Sequence, residues 1–486
     1  MNLLQKVKLS LRNKVIIYAL TRYLILFISF LTSVFLASKL GPYYFGIWGF
    51  ILLLLNYYQY FDFGISDSAT ILLVQNKDNP KRVKDFETNS IAFSAIMGIL
   101  AIVIAVYYQI FGIQILEKFH IGNLFYFVCL IAILAYLNKL FFKIYRVKGR
   151  MFEFGFYQSI NSILVISIMF IAKERQLINL LISAYILGNL LSLILFIRGG
   201  GVSISGHPNF KDCSIIFNKG FMLFMYNFFF YLIILSTKTI ISAYYTVEEF
   251  GFFTFSFTLA NSILVLLDAF AVLIVPKVID RLYSNDIKII ELTLMEIKIN
   301  YVYLSYLLMC LALILFSVLL IFLPKYYPTF QVINMLSLAV VVSSNSFGYS
   351  MFLKAVNKEK TLAKISTLSL LTNIILAIIL VKVLKVNYSY VSLSIILSYF
   401  LFAYLCAYYG KKHLLQSVSF FSILREILPL QLFVPALLII IITILNIREF
   451  IFIPLLGFII FNIKPIKGIF TTAKKILLNS RIFDIN

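Results

Sequence analysis

Apolar residues in this chain run on for about twenty positions at a time. The runs stop at short clusters of Lys, Arg, Gly, Pro and Asn. They lack the strict alternation of a half-buried strand and the charged outer stripe of a surface helix. A helix rises about 1.5 Å per residue, so ~20 apolar residues cross ~30 Å of hydrocarbon. A transmembrane barrel would alternate along ~10-residue segments instead. The pattern predicts fourteen helical spans: 15–38, 44–66, 89–110, 122–142, 152–172, 177–197, 220–244, 250–275, 300–323, 330–353, 365–383, 388–409, 427–446 and 450–463.

Composition excludes a water-soluble enzyme. Of 486 residues, 62% are hydrophobic and only 13% are charged, about half the usual charge of a soluble domain. The net charge of +22 reflects where the cations lie. The loops read as inside carry 31 Lys and Arg, and those read as outside carry 8. Positive charge accumulates on cytoplasmic loops, which places both termini in the cytoplasm and removes the need for a nucleic-acid partner. The first span is too long for the apolar core of a cleaved signal peptide. The terminal segments 1–14 and 464–486 mix Lys and Arg with Leu, Ile and Phe, which suits the anionic inner membrane surface. Cys129, Cys213, Cys310 and Cys406 have neither the spacing of a metal site nor that of a disulfide framework.

The long break at 198–219 contains Arg198-Gly199-Gly200-Gly201 and Ser205-Gly206-His207-Pro208. It reads as a flexible cytoplasmic linker between two six-span halves. The expected organisation is a lobe over 1–197, the linker at 198–219, a second lobe over 220–412, and two extra helices with a basic tail over 413–486. The halves read as a diverged repeat. Leu40-Gly41-Pro42-Tyr43-Tyr44-Phe45-Gly46 follows span 1, and Tyr245-Thr246-Val247-Glu248-Glu249-Phe250-Gly251 follows span 7, an offset of 205. Arg146-Val147-Lys148-Gly149-Arg150 follows span 4, and Lys354-Ala355-Val356-Asn357-Lys358 follows span 10, an offset of 208. An even number of spans per half relates the halves by an axis along the membrane normal, a transporter architecture.

At these segments, and at "DFGISDS", "STKTIISAYYTVEEFGFFTFSF" and "FLKAVNKEKTLAKISTLSLLTNIILAIIL", the sequence resembles the polysaccharide transport branch of the multidrug/oligosaccharidyl-lipid/polysaccharide exporters. The resemblance is to the Wzx-type flippases of O-antigen and capsule repeat units, over nearly the whole chain. It implies an all-α, MATE-like membrane fold of two six-helix lobes facing a central cavity. It also implies translocation of undecaprenyl-diphosphate-linked oligosaccharide from the inner to the outer leaflet of a prokaryotic cytoplasmic membrane.

An ionisable group at mid-bilayer costs about 2.5–3.5 kcal/mol on insertion scales, so it faces a cavity or a partner. Arg22 in span 1 and Lys238 in span 7 come from opposite halves and are the candidates for a diphosphate head group. Their alternative is snorkelling to an interface. The resemblance implies cavity cations, including an Arg on the first span. Lys238 departs from the family pattern, in which an acidic residue is common nearby. Asp62 and Asp268 are candidates for proton or sodium coupling, or for a salt bridge. Asp62 and Asp67 are equally suited to ending span 2 at the inner interface. Arg146 and Lys354 are candidates for a cytoplasmic gate or are ordinary positive-inside charge. Intramembrane amides, among them Asn189, Asn345 and Asn373, suit sugar hydroxyls or helix-to-helix bonds.

No phosphate-binding GxxxxGK[ST] loop is present, and neither a cofactor, a metal nor a catalytic residue is expected. The expected partners are the lipid-linked oligosaccharide, membrane lipids and polysaccharide assembly proteins, with a monomer as the transport unit. The alternatives are a cation-coupled MATE-type exporter of small molecules, a lipid II flippase, and an integral membrane polymerase or ligase. The short outer loops argue against the last.

Overall fold

The computed structural model describes residues 14–469 except 61, 112–113, 172–175, 204, 207, 285 and 415–417. The side chains of 14–26, 109, 151, 222–223, 268–277 and 279–280 also lie outside the description. Among the described residues every regular element is a helix. They are α1 (Lys14–Tyr60), α2 (Ile65–Gln75), α3 (Pro80–Phe111), α4 (Gln114–Lys118), α5 (Phe125–Val147), α6 (Met151–Ile171), α7 (Leu177–Arg198), α8 (Phe210–Tyr244) and α9 (Val247–Leu282). They continue with α10 (Ile287–Ile297), α11 (Tyr303–Phe322), α12 (Phe330–Ser344), α13 (Phe347–Ala355), α14 (Glu359–Ile378), α15 (Ser392–Leu414), α16 (Phe420–Ile427), α17 (Leu430–Leu445) and α18 (Ile453–Phe461).

Among the described residues, eleven helical segments are long and apolar enough to cross a membrane. Two bent pairs, α16 with α17 at 67° and Arg448–Phe461 with Ile463–Ile469 at 85°, bring the number to thirteen. One of the thirteen lies in α1, which holds two of the expected spans on either side of a break at Gly41 (φ 69°, ψ 170°). Outward faces are as apolar as inward ones. On α3 the exposed residues Ile96, Ile99, Val103, Val106 and Ile110 recur at helical spacing, while Ala101 and Ala105 are buried. Such a face is stable against acyl chains and not against water. The chain is an integral membrane protein.

Span 2 ends earlier than its apolar run suggests. The helix stops at Tyr60, and Phe63 (φ 45°) and Gly64 (φ 79°) turn the chain into α2. Asp62, one of the residues expected to end span 2, sits in this turn.

Contacts divide the chain into two compact units. One comprises Leu31–Tyr231 with Ser242–Gly251; the other takes the remainder, including Leu232–Ile241. Within the first, the 198–212 segment is docked rather than loose. Consecutive residues of α3 each receive one of its amides: Ser203 N–H donates to Glu87 Oε2 (2.7 Å), Gly206 N–H to Thr88 Oγ1 (3.0 Å) and Asn209 N–H to Asn89 Oδ1 (2.6 Å). Arg82 forks onto Asp212 through two bonds of 3.1 Å. The Tyr145 hydroxyl donates to the Phe196 carbonyl at 2.6 Å, and its ring occupies the space a Cβ on Gly201 would need, 2.4 Å away. The glycines therefore permit close approach here. The expectation of a flexible linker counted their freedom and could not count the donors that hold them.

The repeat is visible at the level of single hydrogen bonds. After α5, Arg150 N–H donates to Tyr145 O and Gly149 N–H to Arg146 O; after α13, Lys358 N–H donates to Leu353 O and Asn357 N–H to Lys354 O. All four pairs are at an offset of 208. Both are Schellman caps, and the left-handed position is filled by Gly149 (φ 73°) in one and Asn357 (φ 54°) in the other, the two residue types that tolerate it best. The other pair of segments meets directly within the first unit. A Cβ on Gly46 would lie 2.1 Å from Val247 O, and one on Gly251 would lie 2.0 Å from Pro42 O. Both contacting pairs are related by 205, so the contact is reciprocal, as a two-fold relation requires. Substitution of Gly251 by Ala is expected to cost about 1–3 kcal/mol through backbone displacement, while Asn357→Gly is neutral. Thermal unfolding in detergent, comparing the two variants, measures this difference.

Candidate functional site

The charged residues singled out in the sequence lie in different surroundings. Arg22 is within α1 and Asp268 within α9, but both side chains lie outside the described residues. Lys238, on α8, is 5% exposed; its ammonium sits 3.7 Å from the centroid of the Phe257 ring on α9. No carboxylate is within ion-pair distance of it among the described residues. A ring face supplies part of the solvation a buried ammonium loses, about 2 kcal/mol or more when the pair is desolvated. Arg146 is exposed in the last turn of α5, and Lys354 is half-buried in the last turn of α13. Their repeat neighbours do the anchoring: Lys148 pairs with the fully buried Glu87, and Arg150 donates to the Gly199 carbonyl at 2.5 Å.

Asp62 is buried in the turn between α1 and α2. Its carboxylate accepts from Ser66 Oγ (2.7 Å) and Gly64 N–H (3.2 Å), which fixes the start of α2, and it pairs with Lys139 at 2.8 Å. One turn along α5, Lys143 pairs with Asp67. Lys139 and Lys143 are four residues apart, hence stacked on one face of α5. Asp62 and Asp67, on the turn and the first turn of α2, meet them in register. Lys139 also donates to the Gln59 carbonyl at 3.0 Å, and its ammonium lies 6.0 Å from the Tyr60 ring. The side chain of Lys139 stays about a third exposed, which leaves part of its ammonium open to a further anion. The array is an alternating double pair of charges at membrane depth in the first unit.

The same unit carries a clasp at the face that the charge asymmetry places outside. Lys118, at the end of α4, donates to three main-chain carbonyls at the C-terminus of α8: Ser242 (2.7 Å), Ala243 (3.2 Å) and Tyr245 (2.6 Å). A helix leaves its last carbonyls without partners and carries partial negative charge there, so a lysine is the fitting cap. Burial pulls the Lys118 ammonium below its ordinary range, and Glu249 pulls it back up. Glu249 itself closes a capping box with Thr246, accepting from its N–H (2.9 Å) and hydroxyl (2.8 Å). Beneath lie Phe50, Phe119 and Phe250, with centroids 4.1 Å apart for the first pair and 5.4 Å for the second. The Gly46–Gly251 contact completes the clasp.

Sequence reasoning noted Lys139 as a charge in a span and gave it no role; it missed Lys143 and Lys118. Lys139 and Lys143 share a signal, since their spacing of four puts them on one helical face. Lys118 carries no such signal, because its partners are main-chain carbonyls. Of the intramembrane amides, Asn373 donates to Ile233 O, Ser236 Oγ and Thr237 Oγ1 at 2.8–3.0 Å, joining α14 to α8.

No family model and no curated protein matches the chain. Solved structures do. The lipid II flippase MurJ, in an inward closed conformation, superimposes with a TM-score of 0.68 at 15% identity, over 94% of this chain and 100% of that one. A multidrug resistance MATE family transporter of the MOP superfamily, inward-facing, gives 0.60 at 11% identity over 82% and 98%. A MATE structure in the bent conformation gives 0.56 at 13% identity over 82% and 94%. The chain therefore shares the fold of these solved structures.

Removing one partner of the Asp62–Lys139 pair leaves a charge without its counter-ion. Asp62→Asn and Lys139→Met are each expected to destabilise by about 1–3 kcal/mol, less than a fully buried pair because Lys139 reaches solvent. The double variant should cost less than the sum, and a double-mutant cycle by thermal unfolding reads the coupling. Lys118→Met should raise amide exchange at 242–251 and leave the 62–67 turn unchanged.

Proposed function

We propose that the chain is a flippase of the prokaryotic cytoplasmic membrane that carries undecaprenyl-diphosphate-linked oligosaccharide from the inner to the outer leaflet. Two lobes, 1–197 and 220–412, would rock about a central cavity on either side of the 198–219 linker. The observation that carries this reading is Lys238. A lysine in a membrane-spanning helix, buried against a ring and without a carboxylate among the described residues, is a cation waiting for an anion. A diphosphate supplies one. Arg22 adds a planar fork from the first span. Head group and sugars would travel inside while the polyprenyl tail stays in lipid. The Asp62–Lys139 and Asp67–Lys143 pairs would hold the inner ends of α1 and α5 in register, with Asp268 and Asp62 available to couple a proton or sodium ion. Arg146 and Lys354 would flank the cytoplasmic entrance. The cycle is transport and makes no covalent intermediate. Sugar-assembly proteins would act on the cargo before and after it crosses, and the monomer would be the transport unit.

A second reading, lipid II as the cargo, is favoured by one observation. The lipid II flippase covers 94% of this chain, against 82% for the inward-facing MATE transporter.

In a deletion strain, lipid-linked repeat units should accumulate on the inner leaflet. The wild-type gene should restore surface polysaccharide, and Lys238→Met and Arg22→Ala should each reduce it at least tenfold at equal protein level. Intact polysaccharide together with lost efflux of cationic drugs would assign the chain to exporters, and accumulation of lipid II alone would select the second reading.

A further inference from the structure

The second unit holds a cavity of about 310 Å³ that the transport reading does not use. Its walls come from α10 and the π-turn Lys298–Val302, from the break between α12 and α13, and from the ends of α15 and α16. The break exposes Asn345, whose side chain is 7% exposed and donates to the Tyr306 hydroxyl at 3.2 Å; its Oδ1 has no partner among the described residues. An amide oxygen buried without a donor costs about 1–3 kcal/mol, so this position calls for an N–H or O–H from elsewhere.

The charges around the cavity are of both signs. Glu426 is saturated: Lys411 pairs with it and the Tyr349 hydroxyl donates to it. Lys298, on the π-turn, reaches only the Glu426 main-chain carbonyl, and Glu291 forms no ion pair among the described residues. One cation and one carboxylate thus line the same space without forming an ion pair of their own among the described residues, beside an amide acceptor. Leu294, Met295 and Ile427 supply the apolar part of the wall.

Depth in the membrane identifies the ligand class. α16 is bent 67° from the span α17 and presents Phe420 and Phe421, 58% and 69% exposed, while Ile423 and Ile427 are buried. A short amphipathic helix turned away from its span in this way lies along the interface. Met295 on α10 is exposed as well. The charge asymmetry puts this end on the cytoplasmic side, so the cavity sits where inner-leaflet head groups lie.

We infer that this cavity binds an aminophospholipid, taking its phosphate on Lys298 and its primary ammonium between Glu291 and the Asn345 amide oxygen. A phosphocholine head group carries charge of both signs but no N–H to give Asn345, and a phosphoglycerol head group brings no cation for Glu291. The lining shares no residue with those proposed above for the cargo, and the test does not involve transport.

The purified full chain, delipidated in a neutral detergent, is titrated with phosphatidylethanolamine, phosphatidylcholine and phosphatidylglycerol of equal acyl composition. Bound lipid is counted by native mass spectrometry alongside thermal unfolding. Phosphatidylethanolamine should bind about tenfold more tightly than the other two. Glu291→Gln, at an exposed position that should not disturb folding, should abolish the preference over phosphatidylglycerol, and Asn345→Leu, if it folds, should abolish the preference over phosphatidylcholine. Soluble glycerophosphoethanolamine should compete weakly if the lipid is the ligand; competition equal to the lipid's would show that the polar group alone is recognised. Equal affinity for all three lipids, or an unchanged preference in Glu291→Gln, would overturn the inference.

Discussion

Hydrocarbon offers a charge nothing to bond with, and most of this structure follows from that. Backbone groups are satisfied inside helices, which is why the described regular elements are helical. Side-chain charges are then satisfied by one another or by the main chain. Asp62 and Asp67 are matched to Lys139 and Lys143 on one face of α5. Glu87 is matched to Lys148 and to the amide of Ser203. Lys118 finds its partners in three carbonyls at a helix end. Against that background the exceptions carry information. Lys238 has only a ring, and Asn345 Oδ1 has no donor among the described residues.

Helix α8 shows how the same economy positions the functional elements. In the first unit its ends are fastened by polar bonds: Arg82 to Asp212, Ser68 Oγ to the Ile216 carbonyl, and Lys118 to the C-terminal carbonyls. Its middle, 232–241, belongs with the other unit, where Asn373 reaches three acceptors on it. Charged and polar bonds fasten the helix at sites where water or main chain is at hand, and each is individually modest.

The repeat gives this arrangement its economy. A sequence offset of 205 produces a reciprocal glycine contact, and one of 208 produces two identical helix caps. The two copies reach the same geometry with different residues. Gly149 and Asn357 both accept a left-handed backbone. Pro42 opens one helix by its fixed φ, and Thr246 opens its counterpart through a capping box with Glu249. Duplicated backbone geometry thus outlasts sequence identity, as the comparisons at 11–15% identity also show.

What the amino-acid order settled by itself was the membrane, the helices and the repeat. Twenty-residue apolar runs, a 31-to-8 cation asymmetry and matched motifs are one-dimensional properties, and hydrocarbon thickness translates them directly into spans. The turn at Phe63 and Gly64 comes a few residues before the expected end of span 2, at the Asp62 that the sequence already offered as its end. The linker glycines looked free, because the Tyr145 ring and the three acceptors on α3 lie more than fifty residues away in the chain. Which charges would be neutralised was likewise a tertiary decision. Asp62 and Lys139, 77 positions apart, become partners only when α2 packs on α5. Lys238, equally conspicuous in the sequence, is left with an aromatic face. Residue type announces that a charge must be answered; only the packing of distant helices determines what answers it.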